Sequence, residues 1–268
     1  MPHPAVNASG GRVQRVPGLG DQRGFSLLDL LVCILIISVL MAVMLPVLSH
    51  VSEATKRVIC RSNVRQLGMG ITLYAEANKD RLPRSVFQSN QQPYQPQAMT
   101  VVHTETAWDG LGHLFSGDFI NTPEVFYCPS HRGENRFEVY ASAWGARAGV
   151  INTNYHYRGL PAGLPTSKQF LQDLDPGVTL IADGMQSLSD INHKGGLNIF
   201  RADLSVLWFE DRQQEWMSSV PAALTDPNAA YGVAQAWWVL DTGERRGFPG
   251  INGNNGFGPA NLLQPRIH

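Results

Sequence analysis

Arg23-Gly24-Phe25-Ser26-Leu27-Leu28-Asp29-Leu30-Leu31 opens the stretch that decides how this chain is organised. From Leu30 to Leu48 there is no charged residue. A helix over that run spans roughly 28 Å, close to the hydrocarbon thickness of a bilayer. Before it, residues 1–24 carry Arg12, Arg15 and Arg23 against one acid, Asp21, among many Gly, Pro and Asn residues. That composition reads as a polar, basic leader. Basic residues ahead of the run and Glu53 just beyond it orient the leader toward the cytoplasm. Everything past residue 50 is then expected outside the cytoplasmic membrane.

Two simpler readings compete. A secretory signal peptide has an apolar region of about 7–15 residues ending at small residues. This run is longer, and the nearest small-residue site lies around Ser49. An ordinary single-pass anchor fits the length but leaves Asp29 unexplained. A carboxylate in a membrane helix costs up to about 3 kcal/mol at mid-bilayer, less near the interface, and usually has a partner.

The junction resembles the cleavage and methylation signature of type IV prepilins and type II secretion pseudopilins. In that family a prepilin peptidase/methyltransferase cuts after the glycine and methylates the new N-terminal residue. The resemblance places the cut at Gly24–Phe25 and makes Phe25 the methylated residue. The family's acid four residues after the cut, usually glutamate, corresponds to Asp29, one methylene shorter. Its implied role is to pair with the Phe25 amine of a neighbouring subunit during assembly, which offsets the cost of holding either charge in lipid. Pro46 matches a helix-kinking proline of the family, since proline removes a backbone hydrogen bond and bends the helix.

From His50 to Asn78 there is no proline. Val47, Val51, Ala54 and Val58, then Cys60, Val64, Leu67, Ile71 and Tyr74, recur at three- and four-residue steps among charged residues. This is the apolar stripe of a helix that continues out of the membrane. It is expected to end near Asn78-Lys79-Asp80, with Pro83 beyond as a stop. The stretch Cys60 to Gly68, the motif Phe126-Tyr127-Cys128-Pro129-Ser130, and His193 followed after nine residues by Asp203 resemble segments of a large pseudopilin-like group. There the last motif ends Asp-Gly; here Leu204 replaces the glycine.

The rest of the chain is less regular, with 26 Gly and 17 Pro in 268 residues, 43% apolar and 16% charged. The expected fold is α+β and pilin-like. A long helix, half membrane and half amphipathic, packs on a small antiparallel sheet. Residues 84–107 read as a surface loop, Leu111–Phe119 as a short helix, and Val125–Cys128 as a brief strand. Val178–Ala182 reads as a buried strand, and Gly196–Ala202 with Leu204–Glu210 as a hairpin. Leu197, Ile199, Val206 and Trp208 alternate along the two arms. Asp203 sits at the turn, where Leu204 resists the positive φ that a two-residue turn needs, so a wider or bulged turn is expected. The parts are a leader (1–24), a membrane helix (25–48), its exposed continuation (49–80), a globular domain (81–210) and a loop-rich C-terminal extension (211–268).

Little in the sequence points to catalysis. There is no phosphate loop after a strand, no zinc-type Cys or His spacing and no nucleophile elbow. The net charge of -1 gives no reason to expect a nucleic-acid partner. Cys33 lies in the apolar run, so only Cys60 and Cys128 are candidates for a bridge, in an oxidising compartment. His193 and Asp203 are read as shaping the hairpin rather than as a ligand or acid/base pair, and Cys128-Pro129-Ser130-His131 lacks a third orienting group. No cofactor is expected. Asp173, Asp175, Asp183 and Asp190 are oxygen donors, and calcium enters only because some secretion pseudopilins bind it; their spacing matches no ligand loop.

The expected function is therefore non-enzymatic: a single-pass inner-membrane subunit, in contact with lipid and prepilin peptidase, that joins other pilin-like subunits in a secretion pseudopilus or pilus-like filament. Two alternatives stand beside it. One is a pilin-type anchor displaying a receptor or carbohydrate-binding module through Trp237, Trp238 and the tail. The other is an anchored enzyme using His193 and Asp203.

Overall fold

The computed structural model describes residues 26–85, 101–103, 108–146, 149–158, 170–223 and 229–243. The chain divides into two compact units, Met1–His50 and Val51–His268. One helix, α1 (Leu27–Ala77), contributes to both.

In the first unit the described chain is helical from Leu27 onward. Leu27–Leu45 has a mean hydropathy of 2.9 and no buried residue. An isolated helix with apolar side chains all round is stable only where lipid or other apolar helices cover it. Ser38, the polar residue in its middle, donates its hydroxyl to the Ile34 carbonyl at 2.6 Å. No polar hydrogen is thus left facing hydrocarbon at that side chain.

The second unit is α+β. Strands β3 (Tyr155–Tyr157), β4 (Thr179–Asp183), β5 (Gly196–Arg201) and β6 (Val206–Glu210) form an antiparallel meander in that order. A separate two-stranded ribbon pairs β1 (Val101–His103) with β2 (Ile151–Asn152). Short helices α2 (Gly112–Ser116) and α3 (Phe137–Ala146) flank it, and α4 (Ala229–Thr242) closes the described chain.

One face of the sheet packs on α1. Cys60, Val64, Leu67 and Ile71 share a core with Tyr155, Tyr157, Leu180, Ile181, Phe200 and Val206. Gly68 permits the approach, because a Cβ there would lie inside the van der Waals surface of the Phe200 ring. Of the stripe expected upstream of Cys60, Val51, Ala54 and Val58 are exposed, and the Val47 side chain lies outside those described. Among the described side chains of α1, burial therefore begins at Cys60. After Ala77 the helix stops in a turn with positive φ at Lys79 and Asp80, and the Asp80 N–H bonds back to the Ala75 carbonyl at 2.7 Å, satisfying a terminal carbonyl.

The other face packs on α4. Ala182, Met185, Leu197 and Ile199 meet Trp216, Val220, Val233, Ala236, Trp237, Val239 and Leu240. This changes two expectations. Among the described residues, 211–223 and 229–243 belong to the folded domain rather than to a loop-rich extension, because they supply the second cover of the sheet. The expected hairpin is present, but its alternating residues divide between faces. Ile199 stands opposite Leu207, and Phe200 opposite Val206, so Leu197 and Ile199 face α4 while Val206 lies in the α1 core. Residues 244–268 lie outside the described residues.

The segment expected as a strand at Val125–Cys128 is instead a 3-10 turn, Pro123–Phe126, followed by extended Tyr127. Pro123 at its start has no N–H to give a ladder, and the Tyr127 N–H bonds locally to Glu124 at 3.1 Å. Aromatic packing fixes the segment. Trp144 of α3 packs edge-on against Phe115 and tilted against Phe126, and its Nε1 donates to the Tyr127 hydroxyl at 2.9 Å.

Candidate functional site

Two places carry chemistry, one in each unit. In the first, Gly24 and Phe25 lie outside the described residues. Immediately after them Ser26 and Asp29 form a reciprocal cap. The Ser26 hydroxyl accepts the Leu28 N–H at 3.3 Å, and the Asp29 carboxylate accepts the Ser26 N–H at 3.2 Å. This is a capping box with aspartate in place of glutamate. It starts the helix at Leu27, the third residue after the expected cut. It also holds the Asp29 carboxylate at the end of the helix where the amine of Phe25 would begin the mature chain. The shorter side chain is sufficient for that local bond. Pro46 falls within α1.

In the second unit, three segments distant in sequence converge. Cys60 of α1 and Cys128, just past the 3-10 turn, are joined in a disulfide with Cα atoms 5.0 Å apart. Such a link across 68 residues contributes about 4 kcal/mol in the chain-entropy account. His193 lies against it, its Nε2 3.4 Å from Cys128 Sγ and 3.8 Å from an Asp183 oxygen. Its Nδ1 is 2.9 Å from Glu53, which also accepts the Ser130 hydroxyl at 3.1 Å. Glu53 and Cys60 are seven residues apart, two turns along one face of α1. The sequence reading did not connect Glu53 with this site; its seven-residue spacing from Cys60 is the one signal that could have done so.

Asp183, at the end of β4, is buried on the α1 face opposite Asn198. It accepts the Asn198 N–H at 2.6 Å, the Asn198 amide at 3.1 Å and the Asn192 amide at 3.4 Å. Burial raises its pKa above the ordinary carboxylate value, with the His193 charge and these hydrogen bonds pulling the other way. Partial burial also pushes the Glu53 carboxyl up. There the bonds from His193 and Ser130, with the charges of His193 and Lys56, prevail and leave it lowered. Trp208 closes the rim, its ring edge-on to His193 and carrying the Arg57 guanidinium at 3.9 Å. A neighbouring buried network joins His131 to Asn192 at 2.8 Å and His156 to Asp190 at 3.2 Å.

The structure does not bring His193 and Asp203 together at this site. Asp203 caps the β5–β6 turn, accepting the Ser205 N–H at 2.9 Å, whereas the partners of His193 are Cys128, Glu53, Asp183 and Trp208. The four aspartates read as oxygen donors also separate: Asp183 and Asp190 are buried, and Asp173 and Asp175 are exposed. Trp237 is fully buried in the α4 core, so it presents no face to a sugar. An open groove of about 480 Å³ borders the disulfide, lined by Asn63, Tyr127, Cys128, His131, Arg136 and Glu138 among others.

A family model described as the prokaryotic N-terminal methylation motif matches residues 19–45. Comparison with curated proteins and with solved structures gave no match. The motif and the exposed apolar helix mark the chain as type IV pilin-like at its N-terminus, a substrate of prepilin peptidase with a single-pass membrane anchor.

Proposed function

We propose that this protein is a non-enzymatic filament subunit of the pseudopilin type. The observation that carries the reading is the apolar helix Leu27–Leu45, without one buried residue, inside the stretch that matches the methylation motif. In the membrane, lipid covers that surface. On extraction into a filament the same surface would pack on equivalent helices of neighbouring subunits, and the Asp29 carboxylate would exchange its bond to the Ser26 N–H for the methylated amine of a neighbour. Such an exchange keeps the carboxylate partnered throughout, which matters in lipid. Beyond the membrane, α1 still exposes Val58, Ile59, Met69 and Leu73, apolar surface that further subunit contacts would cover. The N-terminus would stay cytoplasmic, the side that the basic leader favours, and the α+β unit would lie outside, where a disulfide can form.

The test is a shearing experiment on cells that carry the cognate machinery. The expected result is sedimentable filaments containing a chain that starts at N-methylated Phe25 by peptide mass spectrometry, with Asp29→Ala processed but missing from that fraction. A processed wild-type chain found wholly in the membrane would sink the subunit reading and leave an anchored binding module.

A further inference from the structure

Cys60, Cys128, Asp183 and His193 place two sulfurs, a carboxylate and an imidazole within 4.8 Å of one another, all buried. A disulfide does not need such company. Its sulfurs are weak acceptors and sit well among apolar groups. Here a buried carboxylate is aimed at them, oriented by Asn198 and Asn192. A buried imidazole is aimed at them too, oriented by Glu53. With Nδ1 donating to Glu53, the lone pair of Nε2 faces an Asp183 oxygen at 3.8 Å and a sulfur at 3.4 Å. Three electron-rich atoms thus converge without a hydrogen between them unless the ring or the carboxyl carries an added proton. A cation at that point resolves the arrangement.

We infer that in its dithiol form this cluster binds one zinc ion through Cys60 Sγ, Cys128 Sγ, His193 Nε2 and the Asp183 carboxylate, the disulfide and the metal being alternative states of one site. Zinc takes four S, N and O ligands at about 2.0–2.3 Å in a tetrahedron, which puts ligand atoms roughly 3.3–3.8 Å apart. The distances from Nε2 to Cys128 and to Asp183 already lie in or at the edge of that range. The sulfurs must separate once their bond is gone, and the remaining pairs, all within 4.8 Å, settle around the ion. Two thiolates favour zinc over calcium or magnesium. Glu53 supplies the outer carboxylate that metal-bound histidines use to fix ring orientation. An open groove reaches Cys128, one of the four ligands.

The chemistry balances. A dithiol reductant gives two electrons and two protons to the Cys60–Cys128 bond and leaves as its own disulfide. Each thiol then releases its proton as it binds zinc. A disulfide oxidant reverses the cycle, taking two electrons and freeing the ion.

The test uses the full chain in detergent with Cys33→Ser, so that only Cys60 and Cys128 offer thiolate. After anaerobic reduction with a phosphine it is titrated with cobalt and then zinc. The expected result is one cobalt per chain, with thiolate-to-metal absorption in the near ultraviolet and the visible bands of a tetrahedral ion, displaced by one equivalent of zinc. The oxidised protein should show neither. Glu53→Gln, at a partly exposed position, should weaken zinc binding about 10- to 100-fold with circular dichroism unchanged. A reduced chain that loosens and refolds on adding zinc also supports the site, since metal binding is then folding energy. The inference is overturned by reduced, folded protein without thiolate–cobalt absorption at saturating metal, by a reduced chain that unfolds whether or not zinc is present, or by binding undiminished in both Glu53→Gln and Asp183→Asn.

Discussion

The two faces of the four-stranded sheet are covered by helices that hold on in different ways. On the α1 face the contact is close and partly covalent: Gly68 lets the helix meet Phe200, a disulfide ties Cys60 to Cys128, and polar groups fill the end of the interface. On the α4 face the contact rests on bulk and one ion pair. Trp237 and Trp216 fill the layer, while Arg158 of the segment after β3 donates to Asp241 at 2.7 Å and the Thr179 N–H donates to the same carboxylate at 2.9 Å. Arg201 adds a bond to the Leu240 carbonyl at 3.2 Å. The α4 cover has no covalent link among the described residues, so it is expected to loosen first.

The sharpest way to break the comparison is Trp237→Ala. Deleting a fully buried indole removes its transfer energy and leaves a cavity, at about 4 kcal/mol. Urea unfolding of the detergent-solubilised chain, followed by near-ultraviolet circular dichroism, should show that loss while the α1 helix signal persists. Equal loss of both signals at one midpoint would mean that the two covers unfold together.

Next in size is Arg158→Met, which leaves Asp241 without its cation. Stranding one partner of a buried pair costs 3–5 kcal/mol in general. The lower end, about 3 kcal/mol, is expected because the Asp241 side chain keeps 17% of its exposure. Burial raises the Asp241 carboxyl above its ordinary 3.8, and the Arg158 charge and the Thr179 bonds pull it back down. A carboxyl raised on folding binds its proton more tightly in the folded chain. Its cost is absent below the ordinary value and grows as pH rises through the folded one. Without Arg158 that window widens upward. The deficit of the variant should therefore be full at neutral pH and shrink in acid, measured as the urea midpoint against pH. A deficit independent of pH would assign the loss to packing of the arginine stem.

The α1 face was largely readable from sequence because its signals are periodic. Cys60, Val64, Leu67 and Ile71 recur at helical steps and are buried as that stripe requires. Val178–Ala182 and the β5–β6 hairpin announce themselves by apolar runs and alternation. The α4 face was not readable. Residues 229–242 are apolar on nearly every side, so no polar face marks the period, and Gly- and Pro-containing segments flank them. Only the paired tryptophans hinted at a core. The site was half readable. Cys60, Cys128 and His193 stood out as residue types, but Glu53 looked like one charge among many on an exposed helix. Asp183 looked like a loop donor because it precedes Gly184. Neither residue declares its partner until β4 and α1 are brought face to face.

Gly68→Ala tests how close the α1 contact is. A methyl there would overlap the Phe200 ring, and overpacking costs about 1–3 kcal/mol. Replacing glycine inside a helix returns up to about 1 kcal/mol. A net loss of about 1 kcal/mol is expected, with Phe200→Leu in the same chain relieving the clash. A neutral Gly68→Ala would show that the ring has room to move and that the disulfide, not close packing, holds this face.

The smallest effect has the opposite sign and comes from the turn joining β5 to β6, the two strands that carry both covers. The Leu204 N–H bonds to the Arg201 carbonyl at 3.0 Å, and the Arg201 N–H to Ser205 at 3.0 Å, with Leu204 at φ 66°. This is a three-residue loop whose last residue is left-handed, a position that suits glycine. A leucine there costs roughly 1–2 kcal/mol in backbone strain, against which glycine loses about 0.4–1 kcal/mol more chain entropy on folding. Leu204 is also 51% exposed, so little packing is forfeited. Leu204→Gly should stabilise the domain by about 0.5–1 kcal/mol, a rise of about 2 °C in Tm for a domain of this size. The gain should add to the losses at Trp237 and Gly68, since a strained turn that affects neither cover draws on energy independent of both. A gain that vanished in the Trp237→Ala background would show instead that the turn is held in its strained form by the α4 cover.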